Sequence, residues 1–191
     1  MHIHLDDVYA LTVSADFWFS CGLRSGDDVD EDTLREFTAN AANSAAYNKG
    51  LDLLSRRDHG KKELARKLTV SAGAEAAGFA VDKLDTLGLI DDNAYAGKLA
   101  EELSRRKGLS ATGIRAELLR RGIEREIADN AIEGLDIDAQ ERIIELLNGK
   151  YANRMNDEKG KQRVYNALVR LGYAHADIRA AMRRAGTDTL D

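Results

Sequence analysis

Leu64, Ile114 and Val164 stand 50 residues apart along the chain, as do Leu68, Leu118 and Leu168, while Leu51, Leu99 and Leu147 are spaced by 48. An interval of this kind constrains the fold more than any single motif, because one copy of such a unit buries too little surface alone and packs on its neighbours. Inside each interval the apolar positions fall three and four apart, the spacing of one helix face. Tyr47, Leu51 and Leu54 form one stripe, followed by Leu64 with Leu68 and by Val81, Leu84 and Leu87. Tyr95, Leu99 and Leu103, then Ile114 with Leu118, then Ile127, Ala131 and Leu135 form a second set; Ile144, Leu147 and Tyr151, Val164 with Leu168, and Ile178 with Met182 form a third. Gly122 in "RRGI" and Gly172 in "RLGY" are also 50 apart, each where a helix should end in a left-handed residue followed by an apolar contact.

The expected fold is therefore mainly α: three tandem three-helix repeats in an elongated, bendable array, preceded by a short β-hairpin-like segment and a linking helix. The expected boundaries are 1–42 for the strand pair, acidic linker and start of a helix, 43–90, 91–136 and 137–186 for the three repeats, and 187–191 for a tail. The absence of proline and an aromatic content of 6% agree with helix rather than an all-β chain. In the first segment Tyr9, Leu11 and Val13 alternate with other residues and Phe17–Phe19 follow after Ser14-Ala15-Asp16, which places the strand pair around that turn. "SGDDVDEDTL", Ser25 to Leu34, reads as a linker into a helix starting near Asp32. "TVSAGAEAAGFA", Thr69 to Ala80, is about two residues longer than its counterparts and reads as a longer connection between the second and third helices of the first unit, with a partly helical segment as the alternative.

One cysteine, Cys21, leaves no internal disulfide, and no Cys/His spacing points to zinc. No apolar run is long enough to span a membrane and no leader pattern opens the chain, so a cytoplasmic protein is expected. The net charge of -5 conceals an asymmetry: residues 1–42 hold nine acids against two arginines, whereas 43–191 hold 26 Lys and Arg against 24 Asp and Glu. A partner feels the local field rather than the total.

Asp91-Asp92 in "LGLIDDNAYA" is the most enzyme-like feature. Adjacent helical residues diverge by about 100°, so two such carboxylates do not converge on one proton or metal, and a helix cap after Gly88 explains them better. His2 and His4 make two ligands without a third; His59 and His175 fall at predicted helix starts. "RRKGLSATG" is a distant echo of a phosphate loop, better read as a helix end at Gly108 with Ser110 capping the next helix. No catalytic residue, cofactor site or metal site is expected. The arginine doublets remain. Arg56 with Arg57, and Arg105 and Arg106 with Lys107, end the first helices of successive repeats. With Arg115, Arg120, Arg121 and Arg125, the middle repeat is expected to offer a continuous basic surface to an acidic partner or a phosphate backbone. Exposed aromatics for base stacking are few, which favours a protein partner over DNA.

"AYNKGLDLLSRRDHGKKELARKL", "LDTLGLIDDNAYAGKLAEELSRRKGLSATGIRAELLRRGI" and "KQRVYNALVRLGYAHADIRAAM", in that order between Ala46 and Met182, closely resemble the RecX family of bacterial regulatory proteins. The combination of "LIDD-x-x-Y-A" with "LLSRR" and "RRGI" is specific. The resemblance implies three tandem three-helix repeats that bind the RecA recombinase filament and suppress its ATPase, coprotease and strand-exchange activities, in DNA repair, homologous recombination and the SOS response. It also implies some direct DNA binding, so competition for single-stranded DNA is the alternative function. The expected protein is a monomer without catalytic activity, with the nine basic residues above as contact candidates. The resemblance departs at His59-Gly60, where relatives carry serine and Asp58 is the expected substitute cap, and at 69–80 and 27–36.

Overall fold

The computed structural model describes residues 1–135 and 137–186, so the boundary expected at Asp136 and the tail 187–191 lie outside the described residues. The chain divides into two units, Met1–Asp91 and Asp92–Asp191. The described residues are mostly helical, with one small sheet.

The first unit opens with an antiparallel hairpin, β1 (His2–Leu5) and β2 (Val8–Thr12). Its turn is Asp6-Asp7, both left-handed with φ of 48° and 67°. Two positive φ angles are what a tight hairpin needs to match strand twist. The strand pair thus lies one turn earlier than expected. Ser14 instead caps a helix, α1 (Ala15–Ser20), its Oγ accepting from Phe17 N–H at 3.2 Å. Phe17–Phe19 are helical as a result. Phe17 packs on Phe37 with ring centroids 5.4 Å apart, and Trp18 meets the same ring edge-on.

Phe37 belongs to α2 (Glu31–Arg56), capped by Asp30, whose Oδ1 accepts from Thr33 N–H at 2.7 Å. The linking helix and the first repeat helix are one continuous element, and the boundary expected at 42/43 falls inside it. With α3 (Lys61–Ala72) and α4 (Ala74–Thr86) it encloses a core of Ala46, Leu64, Leu68, Ala76, Ala77, Ala80, Val81 and Leu84. The 69–80 segment takes the helical alternative, with helix on both sides of Gly73 rather than a long connection, because its alanines fill the close space beside α2. A Cβ on Gly50 would lie 2.5 Å from Leu84 Cδ1. That close approach turns Gly50 and Ala46 inward and leaves Leu51 36% exposed, unlike its buried counterparts Leu99 and Leu147. Leu87 is likewise exposed, and Ile90 takes the buried position.

In the second unit, α5 (Asp92–Glu102) runs into a π-helical turn, Leu103–Lys107, and is followed by α6 (Ala111–Arg120) and α7 (Arg125–Glu133). Next come α8 (Ala139–Asn148), a 3-10 turn at Ala152–Arg154, α9 (Glu158–Arg170) and α10 (His175–Arg184). Asp91 immediately precedes α5 and Asp92 is its first residue, so the pair stands at a helix start. Ser110 caps α6 through Gly113 N–H. Leu64, Ile114, Val164, Leu68, Leu118 and Leu168 are all buried, as their shared register requires. Gly122 and Gly172 adopt φ of 91° and 92°. In each case the next residue donates back over the turn, Ile123 to Leu118 and Tyr173 to Leu168, and buries its side chain.

Candidate functional site

An arginine at a helix end has two fates: it pairs with a carboxylate of its own protein, or its charge stays open to a partner. Spacing decides the first on a helix, since residues three and four apart share a face. Arg56 takes Asp52 at 2.9 Å, Arg105 takes Glu101 at 3.0 Å and Arg106 takes Glu102 at 3.4 Å, all four residues back. Arg120 grips Glu117 with two hydrogen bonds of 2.7 and 2.8 Å. These pairs are solvated and leave their guanidinium groups at the surface; Arg106 is 80% exposed. Exposed pairs of this kind contribute little to stability and exchange partners readily.

The other arginines tie elements together. Arg121 donates to Glu117 and, at 3.0 Å, to the Tyr95 hydroxyl of α5. Hydrogen bonds from Arg120, joined by Arg121, hold the Glu117 carboxyl down at about 2, against the opposing effect of its burial. Arg115 reaches from α6 to Asp129 of α7 at 2.5 Å, and Arg125 approaches the same carboxylate at 3.8 Å. Arg57 donates to Glu63 at 2.5 Å. Beside it His59 is only 2% exposed, its Nδ1 3.3 Å from the same Glu63 oxygen. Burial, with help from the Arg57 charge, pushes the His59 imidazole below its ordinary value. α3 starts with Gly60 at its cap position, two residues after Asp58.

Every arginine of the expected set therefore has a carboxylate partner. Of the nine expected contact residues, Lys107 is the one exposed without an ion pair among the described residues. The described surface of 91–135 is one of matched charges rather than a continuous basic one, since its eight Lys and Arg stand with nine Asp and Glu. Arg56 and Arg57 belong to the first unit and the remainder to the second.

The π turn carrying Arg105, Arg106 and Lys107 is fixed by residues that sequence reasoning missed. Arg142 of α8 donates to the Ser104 and Arg105 carbonyls at 2.8 and 3.2 Å. The buried Tyr173 hydroxyl donates to the Gly108 carbonyl at 3.1 Å. The Ser104 carbonyl also accepts from Gly108 N–H at 3.1 Å, so Arg142 adds a second donor there. The two side chains together tie the carbonyls at the end of the widened turn to α8 and to Tyr173. Neither contact has a local signal, because the partners are 38 and 65 residues apart. At the other end of the chain, His2 bonds Thr12 and both His2 and His4 pack edge-on against Tyr9. Among the described residues no group of three or more His, Cys, Asp or Glu could hold a metal ion, and no helix is long and apolar enough to cross a membrane.

Residues 46–84 match the family model for the first three-helix domain of RecX, and residues 91–132 match that for the second. The regulatory protein RecX of Pseudomonas savastanoi pv. phaseolicola is 34% identical over 131 residues, covering 68% of this chain and 84% of that protein. The chain belongs to the RecX family. The RecX of Caldanaerobacter subterraneus is 28% identical over 181 residues, covering 94% of this chain and 90% of its own length. Two solved structures share the fold. A crystal structure of a regulatory protein RecX superposes with a TM-score of 0.69 at 22% identity, covering 95% of this chain and 92% of the other. RecX from Lactobacillus salivarius gives 0.62 at 24% identity, covering 77% and 98%. RecX relatives are named as regulatory proteins, which gives this chain a regulatory role.

Proposed function

We propose that this chain regulates homologous recombination and DNA repair by binding the RecA recombinase filament and lowering its ATPase, coprotease and strand-exchange activities. It works in the cytoplasm, as a monomer and by contact alone, with no reaction or cofactor of its own. The observation that carries the reading is the family match, which runs through 94% of the chain against a relative of nearly the same length. The contact candidates narrow to the solvated cations Arg56, Arg105, Arg106, Lys107, Arg120 and Arg125. Arg57, Arg115 and Arg121 hold the scaffold instead. A recombinase surface rich in carboxylates would compete with Glu101, Glu102 and Asp52 for these guanidinium groups at little cost.

The test is the single-stranded-DNA-dependent ATPase of purified RecA with and without this protein. The expected result is inhibition at substoichiometric amounts, weakened when Arg105 and Arg106 are both changed to Gln. An unchanged ATPase rate and filament length would reject the reading. A second reading, binding to single-stranded DNA by competition, is favoured by the charge of residues 137–186, ten Lys and Arg against six Asp and Glu.

A further inference from the structure

The charge of residues 91–186 is divided unevenly along the sequence. Residues 91–136 carry a net -2, from eight cations and ten acids, whereas residues 137–186 carry a net +4, from ten and six. The arginine doublets draw the eye to the first of these segments, but the uncompensated charge lies in the second. There Arg154, at the end of the 3-10 turn, and Arg163 and Arg170 on α9 line one open cleft together with Asn153, Asn156 and one acid, Asp157. On α9 the cleft residues Arg163, Ala167 and Arg170 are four and three apart, so both arginines share a face and are spaced by about 10 Å along the axis. Gly160 fastens the turn to the helix: a Cβ there would collide with the Arg154 carbonyl, and Gly160 itself lies buried beneath the cleft.

All three arginines are exposed, and none forms an ion pair among the described residues, in contrast to every arginine of the middle segment. The two acids nearby already have partners in the chain. Asp157 caps α9, accepting from Gly160 N–H at 2.7 Å, and Glu158 pairs with Lys161 at 2.8 Å. Three like charges lining one cleft against the single carboxylate of Asp157 leave it with a net positive charge, which an anionic ligand offsets.

We propose that this cleft binds the phosphate backbone of single-stranded nucleic acid. The proposal deepens the second reading above and rests on it. Guanidinium and amide donors are the groups that hold phosphate oxygens. An acidic protein surface would need an apolar anchor to desolvate beside the charges, and the apolar residues here, Tyr151 and Val164, are buried under the cleft floor. No exposed aromatic lines the cleft, so no base is read and binding is independent of sequence.

The test is fluorescence anisotropy of a labelled oligo(dT), and of a mixed-sequence oligomer, with the full chain at several salt concentrations and no recombinase present. Arg154→Gln/Arg163→Gln/Arg170→Gln is expected to weaken binding at low salt by about tenfold or more. It should also flatten the plot of log affinity against log salt by about 2, since each neutralised single-strand phosphate contributes about 0.7 to the slope. The corresponding triple change to Lys retains the slope, and Arg105→Gln/Arg106→Gln/Arg125→Gln leaves both affinity and slope near wild type. The proposal is overturned by a wild-type chain that does not bind the oligomers, by a Gln triple variant with unchanged slope, or by equal losses in the two Gln variants. It is also overturned if the cleft variant binds DNA normally but fails to bind recombinase in the absence of DNA. Because recombinase is absent from the anisotropy assay, loss of ATPase inhibition and loss of DNA binding are separate outcomes.

Discussion

Gly172 meets Gly113 backbone to backbone: a Cβ on Gly172 would lie 2.7 Å from Gly113 N and 3.0 Å from its Cα. The contact joins the C-terminal end of α9 to the N-terminal end of α6, where Ser110 N–H donates to the Leu171 carbonyl at 3.0 Å. Opposite ends of two helix dipoles therefore face each other. Gly172 also has φ of 92°, so Gly172→Ala adds left-handed strain to a backbone collision. The expected loss is roughly 2–4 kcal/mol, from about 1–2 for the conformation and the remainder for overpacking. Gly97→Ala in α5, where an added Cβ meets nothing within 4 Å, has the opposite sign and gains up to about 1 kcal/mol. Urea midpoints of the two variants check both directions.

Glu117 is the acceptor that both Arg120 and Arg121 need, and its carboxyl is held down at about 2. A depressed carboxyl contributes stability that is fully present above its unfolded value of 4.5 and is lost as pH falls toward 2. Glu117→Gln is expected to cost roughly 2 kcal/mol at pH 7, the scale of a hydrogen-bonded charged group. The difference from wild type should close between pH 5 and about 2. Denaturant titrations at a series of pH values test this, and a gap that stays constant down to pH 2 contradicts it.

Much of this architecture was legible because repeats write the same physics several times. Leu64, Ile114 and Val164 announce one buried layer, and Gly122 and Gly172 announce two helix ends. What escaped had no periodic signature. Ala46 and Gly50 form the buried face of α2 through smallness, so the larger Leu51, which the apolar stripe puts in the core, stays partly exposed. The hairpin turn at Asp6-Asp7 lacks the Asn or Gly that usually marks left-handed residues. Among the arginines, partners such as Glu101 and Glu117 are readable from spacing, because they lie within one helical turn. Asp129 for Arg115 and the Ser104 carbonyl for Arg142 come from other helices, and only packing reveals them. Charge summed over each repeat would have exposed the cleft of Arg154, Arg163 and Arg170, whereas doublets drew attention to arginines already neutralised.

His59 gives the first unit its own pH dependence. Burial lowers its pKa, the Arg57 charge adds to that, Glu63 opposes it, and Lys67 again lowers it. The neutral ring is favoured in the folded chain. The unfolded chain therefore binds the extra proton, and stability falls as pH drops below the ordinary histidine value of about 6.5 toward the lower folded value. His59→Asn, which cannot take up that proton, is expected to flatten the pH dependence of the melting temperature between pH 7 and 5 relative to wild type. Parallel curves for the two proteins would show that His59 does not supply it.

Tyr173 carries the corresponding effect at the alkaline end. Its ring is buried, its hydroxyl donates to the Gly108 carbonyl at 3.1 Å, and burial pushes the phenol up to about 12. The neutral form is favoured by folding, so stability is intact below the unfolded value near 10 and declines as pH rises through that range toward 12. Tyr173→Phe leaves the Gly108 carbonyl without this donor and is expected to cost about 1–2 kcal/mol. Absorbance titration of the six tyrosines provides an independent readout in the folded protein. A late phase near 12 is expected in wild type and should vanish in Tyr173→Phe. A late phase that survives the substitution would assign it to another tyrosine and remove Tyr173 as the buried clamp on the π turn.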